Sequence, residues 1–269
     1  MKFWVCIEER TDNKIYKGKA YLVDWPKKQI LKTWCPPVHF PRTGNGIRAF
    51  QWFDDEQCYY VLDRQIVWKL NKDLFVIERL MPYKYFMGHH VVKYQGQLVY
   101  TSVMYDGIFF DHKRTGLKRR IDINSVYTDG DGLYLFSRST GRFFQYKPEF
   151  KVILDDVDLV ACHDLQFFYL DGKKYIYVNQ REGQVTLIDT EDYKHRIHYK
   201  VDVKGERTLC SIPGVMKGML RVGTHSIIVG SAPAQLFQIN LRTGETEDEW
   251  FIAETDGETV HGLNFDRQI

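Results

Sequence analysis

Three histidines, His90, His163 and His261, each stand at the head of an apolar run, and polar neighbours accompany them. His89 precedes His90, and Asp164 follows His163. Arg48 and Asn124 occupy matching positions in two further runs, with Asn45 shortly before Arg48 and Lys217 heading another run. Neutral imidazole nitrogens suit zinc, iron or a similar divalent ion, and a facial three-histidine set leaves positions open for water or substrate. A metal held there acidifies water or polarises a carbonyl. The guanidinium fork of Arg48 matches a carboxylate or phosphate, so an anionic substrate is expected. Asp164 and Tyr127 are the candidates to carry a proton, with Asn45, His89, Asn124 and Lys217 as ligand-binding residues.

Such side chains meet only if the elements carrying them surround a common axis. A repeated pattern supplies that arrangement. Gln97 to Gly116, Gly132 to Glu149, Lys174 to Tyr193 and Ser226 to Glu245 each read as an apolar strand, a turn, a second apolar strand and a polar hairpin. The turns Asp129-Gly130-Asp131-Gly132, Asp171-Gly172 and Arg242-Thr243-Gly244 supply positive φ between apolar runs. Tyr59-Tyr60-Val61-Leu62 and Tyr175-Ile176-Tyr177-Val178 are apolar on both faces, as a sandwiched middle strand must be. A unit of about 35–50 residues with about four strands is a propeller blade, because one such sheet buries both faces only when neighbours stack on it.

The expected fold is therefore all-β: a six-bladed propeller forming a single domain over residues 1–269. The blades run over 44–80, 87–121, 122–157, 161–199 and 210–252. The C-terminal segment 258–266 supplies only an inner strand, and 2–34 only the later ones, so together they form the closing blade. On this count the histidines lie on the second, fourth and sixth blades, related by a pseudo-three-fold axis, and converge at the channel mouth.

Composition narrows the function. A net charge of +2 gives no general attraction to nucleic acid or acidic membranes. The five cysteines are scattered and odd in number, which points to a reducing, cytoplasmic setting. The N-terminus lacks the apolar run of a secretory signal, and no segment reaches membrane-spanning length. His112 to Arg120 is densely basic but falls on an outer hairpin, where charge protects an edge. Gly44-Asn45-Gly46 lacks the Lys-Ser/Thr of a phosphate loop. Cys162 and His163 adjoin on a strand and so point apart, which argues against a catalytic pair. A bland alternative is that the histidines simply hydrogen-bond across the channel and close it.

The blade pattern resembles the six-bladed propeller superfamily that includes NHL-repeat proteins and the gluconolactonase/regucalcin group, over the whole chain. No WD dipeptide, kelch double glycine or sialidase Asp-box is present. The histidine layout is similar in kind to peptidylglycine amidating lyase. That resemblance implies metal-dependent lyase or hydrolase chemistry, with His90, His163 and His261 as ligands and Arg48 as the anion partner. The gluconolactonase resemblance implies instead a calcium-dependent lactonase or esterase with oxygen ligands, the candidates being Asn45, Asn124, Asp164, Asn264 and Glu8 or Glu9. The competing class is a non-catalytic scaffold whose loops bind a protein partner.

Overall fold

The computed structural model describes residues 1–10, 16–37, 46–80, 88–103, 107–116, 122–204, 214–255 and 257–266. Asn45 and Cys210 lie outside the described residues.

Six four-stranded antiparallel sheets make up the chain, a six-bladed β-propeller. The closing sheet orders its strands as β24 (Glu258–Phe265), β1 (Lys2–Arg10), β2 (Tyr16–Asp24) and β3 (Gln29–Trp34). The first blade follows with β4 (Ile47–Phe53), β5 (Cys58–Asp63), β6 (Val67–Leu70) and β7 (Val76–Leu80). The second has β8 (Gly88–Tyr94), β9 (Gln97–Ser102), β10 (Gly107–Phe110) and β11 (Lys113–Gly116). The third has β12 (Ile123–Thr128), β13 (Leu133–Ser137), β14 (Arg142–Lys147) and β15 (Lys151–Asp155). β16 (His163–Leu170), β17 (Lys173–Asn179), β18 (Gln184–Asp189) and β19 (Arg196–Lys200) form the fourth. The fifth is β20 (Lys217–Arg221), β21 (Ser226–Gly230), β22 (Gln235–Asn240) and β23 (Thr246–Phe251). Each sheet falls within its expected blade. Among the described residues no helix is long and apolar enough to cross a membrane.

Period-two alternation explains the packing. On β1, Phe3, Val5 and Ile7 point into the cluster shared with the fifth blade, whereas Trp4 and Cys6 point into the cluster shared with the first. The remaining clusters likewise bridge successive sheets, so each of the six lies between two blades. The ring is joined by β1 pairing antiparallel with β24, Phe3 opposite Phe265 and Glu9 opposite Glu258. No inner strand is left without its neighbour at the join.

One irregularity recurs on all six inner strands. The register slips by one residue at Arg48 on β4, at His89–His90 on β8 and at Asn124 on β12. It slips again at Asp164–Leu165 on β16, at Gly218 on β20 and at His261 on β24. A β-bulge adds an unpaired residue and re-aims its side chain. Repeated at the same level of each blade, it turns a ring of side chains towards the axis.

Candidate functional site

The bulges divide the channel into two layers. At and before them lies a polar ring; beyond them lies a cavity.

The ring has two connected halves. In one, Asn124 Nδ2 donates to His89 Nδ1 at 3.2 Å, and His163 Nδ1 donates to Asn124 Oδ1 at 3.1 Å. Ser125 Oγ donates to the same Asn124 oxygen and accepts the backbone N–H of Asp164 at 3.0 Å. In the other, Arg48 Nη1 lies 2.6 Å from His261 Nδ1, and Arg48 Nη2 lies 2.5 Å from Glu8 Oε2. His261 Nε2 is 3.2 Å from Glu8 Oε2 and 3.1 Å from Lys217 Nζ. Arg64 approaches the second Glu8 oxygen at 3.8 Å.

Electrostatics follow from this crowding. Burial pushes the His261 imidazole well below the ordinary histidine range, and the Arg48 and Lys217 charges add to it. Burial also lowers His163, with Lys217 assisting, and lowers His89, with Arg48 and His261 assisting. Burial alone would raise Glu8, but Arg48, His261 and Arg64 outweigh it and hold the carboxylate ionised. Three cations, Arg48, Arg64 and Lys217, thus face two carboxylates, Glu8 and Asp164, around imidazoles kept neutral. Among the described residues, this group carries one more cation than carboxylates.

The cavity beyond the bulges has a volume of about 170 Å³ and is lined from all six inner strands. Its polar lining includes Arg48, Gln51, His90, Ser125, Tyr127, Asp164 and Asn264. His90 Nε2 sits 2.9 Å from Asp164 Oδ1, and His90 has no other polar partner among the described residues. Asp164 is buried and held from behind: Gly218 N–H donates to Oδ2 at 2.7 Å and Asn179 Nδ2 at 3.0 Å. Asn179 is itself fixed by the Tyr177 hydroxyl at 2.5 Å. Burial would raise Asp164, yet the hydrogen bonds from His90 and the Asn179 amide bring it down to about 2. The backbone supports this placement, with Asp164 at φ 54° and Gly218 at φ 73°, both left-handed. Burial and the nearby Asp129 push the Tyr127 hydroxyl up to about 12, so it stays a donor.

The expected convergence of three imidazoles is not what the strands produce. His90 turns into the cavity and pairs with Asp164, whereas His163 bonds Asn124 and His261 meets Arg48, Lys217 and Glu8. A divalent ion on His261 would sit against two fixed cations, so this donor set does not fit a zinc or iron centre. Among the described residues no group of three or more His, Cys, Asp or Glu side chains could hold a metal ion. The oxygen set is dispersed as well. Glu8 is taken by arginine, Asp164 by His90, and Asn264 accepts the Phe50 N–H at 3.0 Å while donating to Gln51 at 2.9 Å. Glu9 lies at the far end of its strand and accepts from Thr255. Asn179, Gly218 and Gln51 were not expected at the site. Glycine inside a strand pattern is the signal that could have located Gly218; Asn179 ends a middle strand and carries none.

No family model matches the chain, and no curated protein sequence matches it. Solved structures do. A structure of the nidogen/laminin complex aligns with TM-score 0.64 at 11% identity, covering 98% of this chain and 98% of that one. A protein of unknown function from Bacteroides caccae aligns with TM-score 0.65 at 8% identity over the full length of both chains. Virginiamycin B lyase from Staphylococcus aureus aligns with TM-score 0.58 at 8% identity, covering 93% of this chain and 84% of that one. At these identities the likeness establishes the fold: the chain is a six-bladed propeller whose structural neighbours include a lyase and a chain of the nidogen/laminin complex.

Proposed function

We propose that the channel binds a small anionic molecule and that His90, oriented by Asp164, exchanges a proton with it in lyase or hydrolase chemistry. The observation that carries this reading is the His90–Asp164 pair on the cavity wall. A buried carboxylate fixes the orientation of the imidazole ring, as a general base requires. Arg48 and the surplus positive charge of the ring favour an anionic substrate, and Tyr127 can donate to a leaving oxygen. The cavity holds the volume of about six waters, which suits a small molecule or the reacting end of a larger one. The described cysteines, Cys6, Cys35, Cys58 and Cys162, are unpaired, which supports a cytoplasmic setting.

The test is a panel of small carboxylate-bearing esters, lactones and β-substituted acids, followed by NMR. His90→Gln should lower kcat at least about 100-fold with KM little changed, while Arg48→Lys raises KM. Turnover that survives His90→Gln, or a panel that neither binds nor reacts, refutes the proposal. A second reading, a protein-binding scaffold, is favoured by Phe75 and by Val76 and Ile77 of the outer strand β7, all exposed.

A further inference from the structure

A cavity of about 180 Å³ lies between the closing sheet and the first blade. Lys2 begins β1 and Asp266 follows β24, so this cavity occupies the end of the closing sheet remote from Glu8. Three ammonium-bearing side chains line it: Lys2, Lys32 on β3, and Lys72 in the turn between β6 and β7. They come from separate elements, and none has a carboxylate partner among the described residues. The carboxylate of Asp266 also lines the cavity and accepts the Tyr59 hydroxyl at 2.6 Å. The lining is therefore net cationic.

A tryptophan in the wall reports on this space. Trp4 lines the same cavity, is 1% exposed, and its indole Nε1–H has no acceptor among the described residues. The ring cannot turn to find one: it stacks on Phe50 with centroids 4.0 Å apart and meets Tyr59 edge-on. A buried donor left without a partner in a native protein calls for an explanation. Leu22, Leu31 and Leu74 complete the wall with apolar surface.

We propose that this cavity binds a small organic oxyanion, a carboxylate or phosphate monoester carried on a compact apolar body. The lysines take the oxygens, and the leucines with the Trp4 and Tyr59 rings cover the body. The space equals that of about six waters, enough for one ring and its charged head.

The experiment follows the tryptophan indole N–H resonances of the ¹⁵N-labelled protein. The Trp4 signal is identified by its loss in Trp4→Phe. Phenyl phosphate, benzoate and neutral benzyl alcohol are added separately. The Trp4 resonance should shift saturably with at least one anion and stay in place with the alcohol; which anion binds more tightly identifies the head group. Replacing two of the three exposed lysines (Lys32→Gln with Lys72→Gln) should weaken binding about ten-fold with the rest of the spectrum preserved. A Trp4 signal unmoved by either anion up to about 20 mM, an equal response to benzyl alcohol, or undiminished affinity in the lysine variant overturns the proposal.

Discussion

Acidification from pH 7.5 to 5.5 should destabilise this propeller through three imidazoles at once. His89, His163 and His261 are each pushed well below the ordinary histidine range, first by burial and then by the cations Arg48 and Lys217. In the unfolded chain each titrates near 6.5 (about the free value). A folded pKa below the unfolded one means that the unfolded state takes up protons the folded state refuses. The stabilisation is complete above about pH 6.5 and is lost as pH falls below it. Each histidine contributes about 1.4 kcal/mol over this window, and the three about 4 kcal/mol. Asp63 acts in the opposite sense: burial raises it to about 6, so the folded state gains its proton first. That returns about 1 kcal/mol by pH 5.5. Glu258, also raised by burial, acts in the same direction. The depressed carboxyls of Glu8 and Asp164 lose their contribution only below about pH 4, outside the window. The net loss should be about 3 kcal/mol, measured by urea unfolding at the two pH values. His261→Gln should remove about one-third of the histidine part. Equal unfolding free energies at both pH values, or folded-state histidine signals titrating near 6.5, would refute the reasoning.

Two further outcomes test the scaffold behind the site. Gly218→Ala places a Cβ 3.0 Å from Leu263 Cγ and 3.1 Å from its backbone nitrogen, at φ 73°. It should cost roughly 2 kcal/mol in calorimetry and loosen the Asp164 carboxylate, which raises the pKa of that group. Asp63 accepts the N–H groups of Gln65 and Ile66 at 2.5 and 2.7 Å and the Trp68 indole at 2.8 Å. Asp63→Ala strands three buried donors and should cost roughly 3 kcal/mol or more, whereas Asp63→Asn, keeping one acceptor, should cost less.

The blades could be read from the amino acids because each carries two independent marks: alternation that sets which faces are buried, and glycine-rich turns that set strand ends. The closing sheet followed by subtraction, since 258–266 supplied an inner strand and 2–34 the other three. The inner-strand residues Arg48, Lys217 and His261 lie in one hydrogen-bonded half of the polar ring, and His89, Asn124 and His163 lie in the other. What failed was the direction of side chains within that level. Strict alternation assigns adjacent residues to opposite faces, as was done for Cys162 and His163. The bulge spoils the assumption, because it opposes His89 and His90 to the single residue Thr101. A bulge is a property of pairing between strands. Only glycine, as at Gly218, leaves a mark of it in one strand alone.

The bulge also explains why a three-histidine metal site and a cation-lined site are alternatives for the same imidazoles. Each blade presents one or two residues at the slip, so the character of the axis is decided by this one level of the six strands. Here one of them is Arg48, and Lys217 stands immediately before another. Two fixed cations beside His261 repel a third positive ion, yet they attract an anion and hold the neighbouring imidazoles neutral. His90 is set apart from them by its carboxylate partner, which fixes the orientation of its ring. The Gly218 position completes this division: lacking a side chain, it lets its N–H reach Asp164 and spends the fifth blade on orienting the fourth. An arrangement that keeps three imidazoles unprotonated and one able to accept a proton is suited to acid–base work on a bound anion, which is why His90, and not the histidine ring, is the residue whose substitution decides the function.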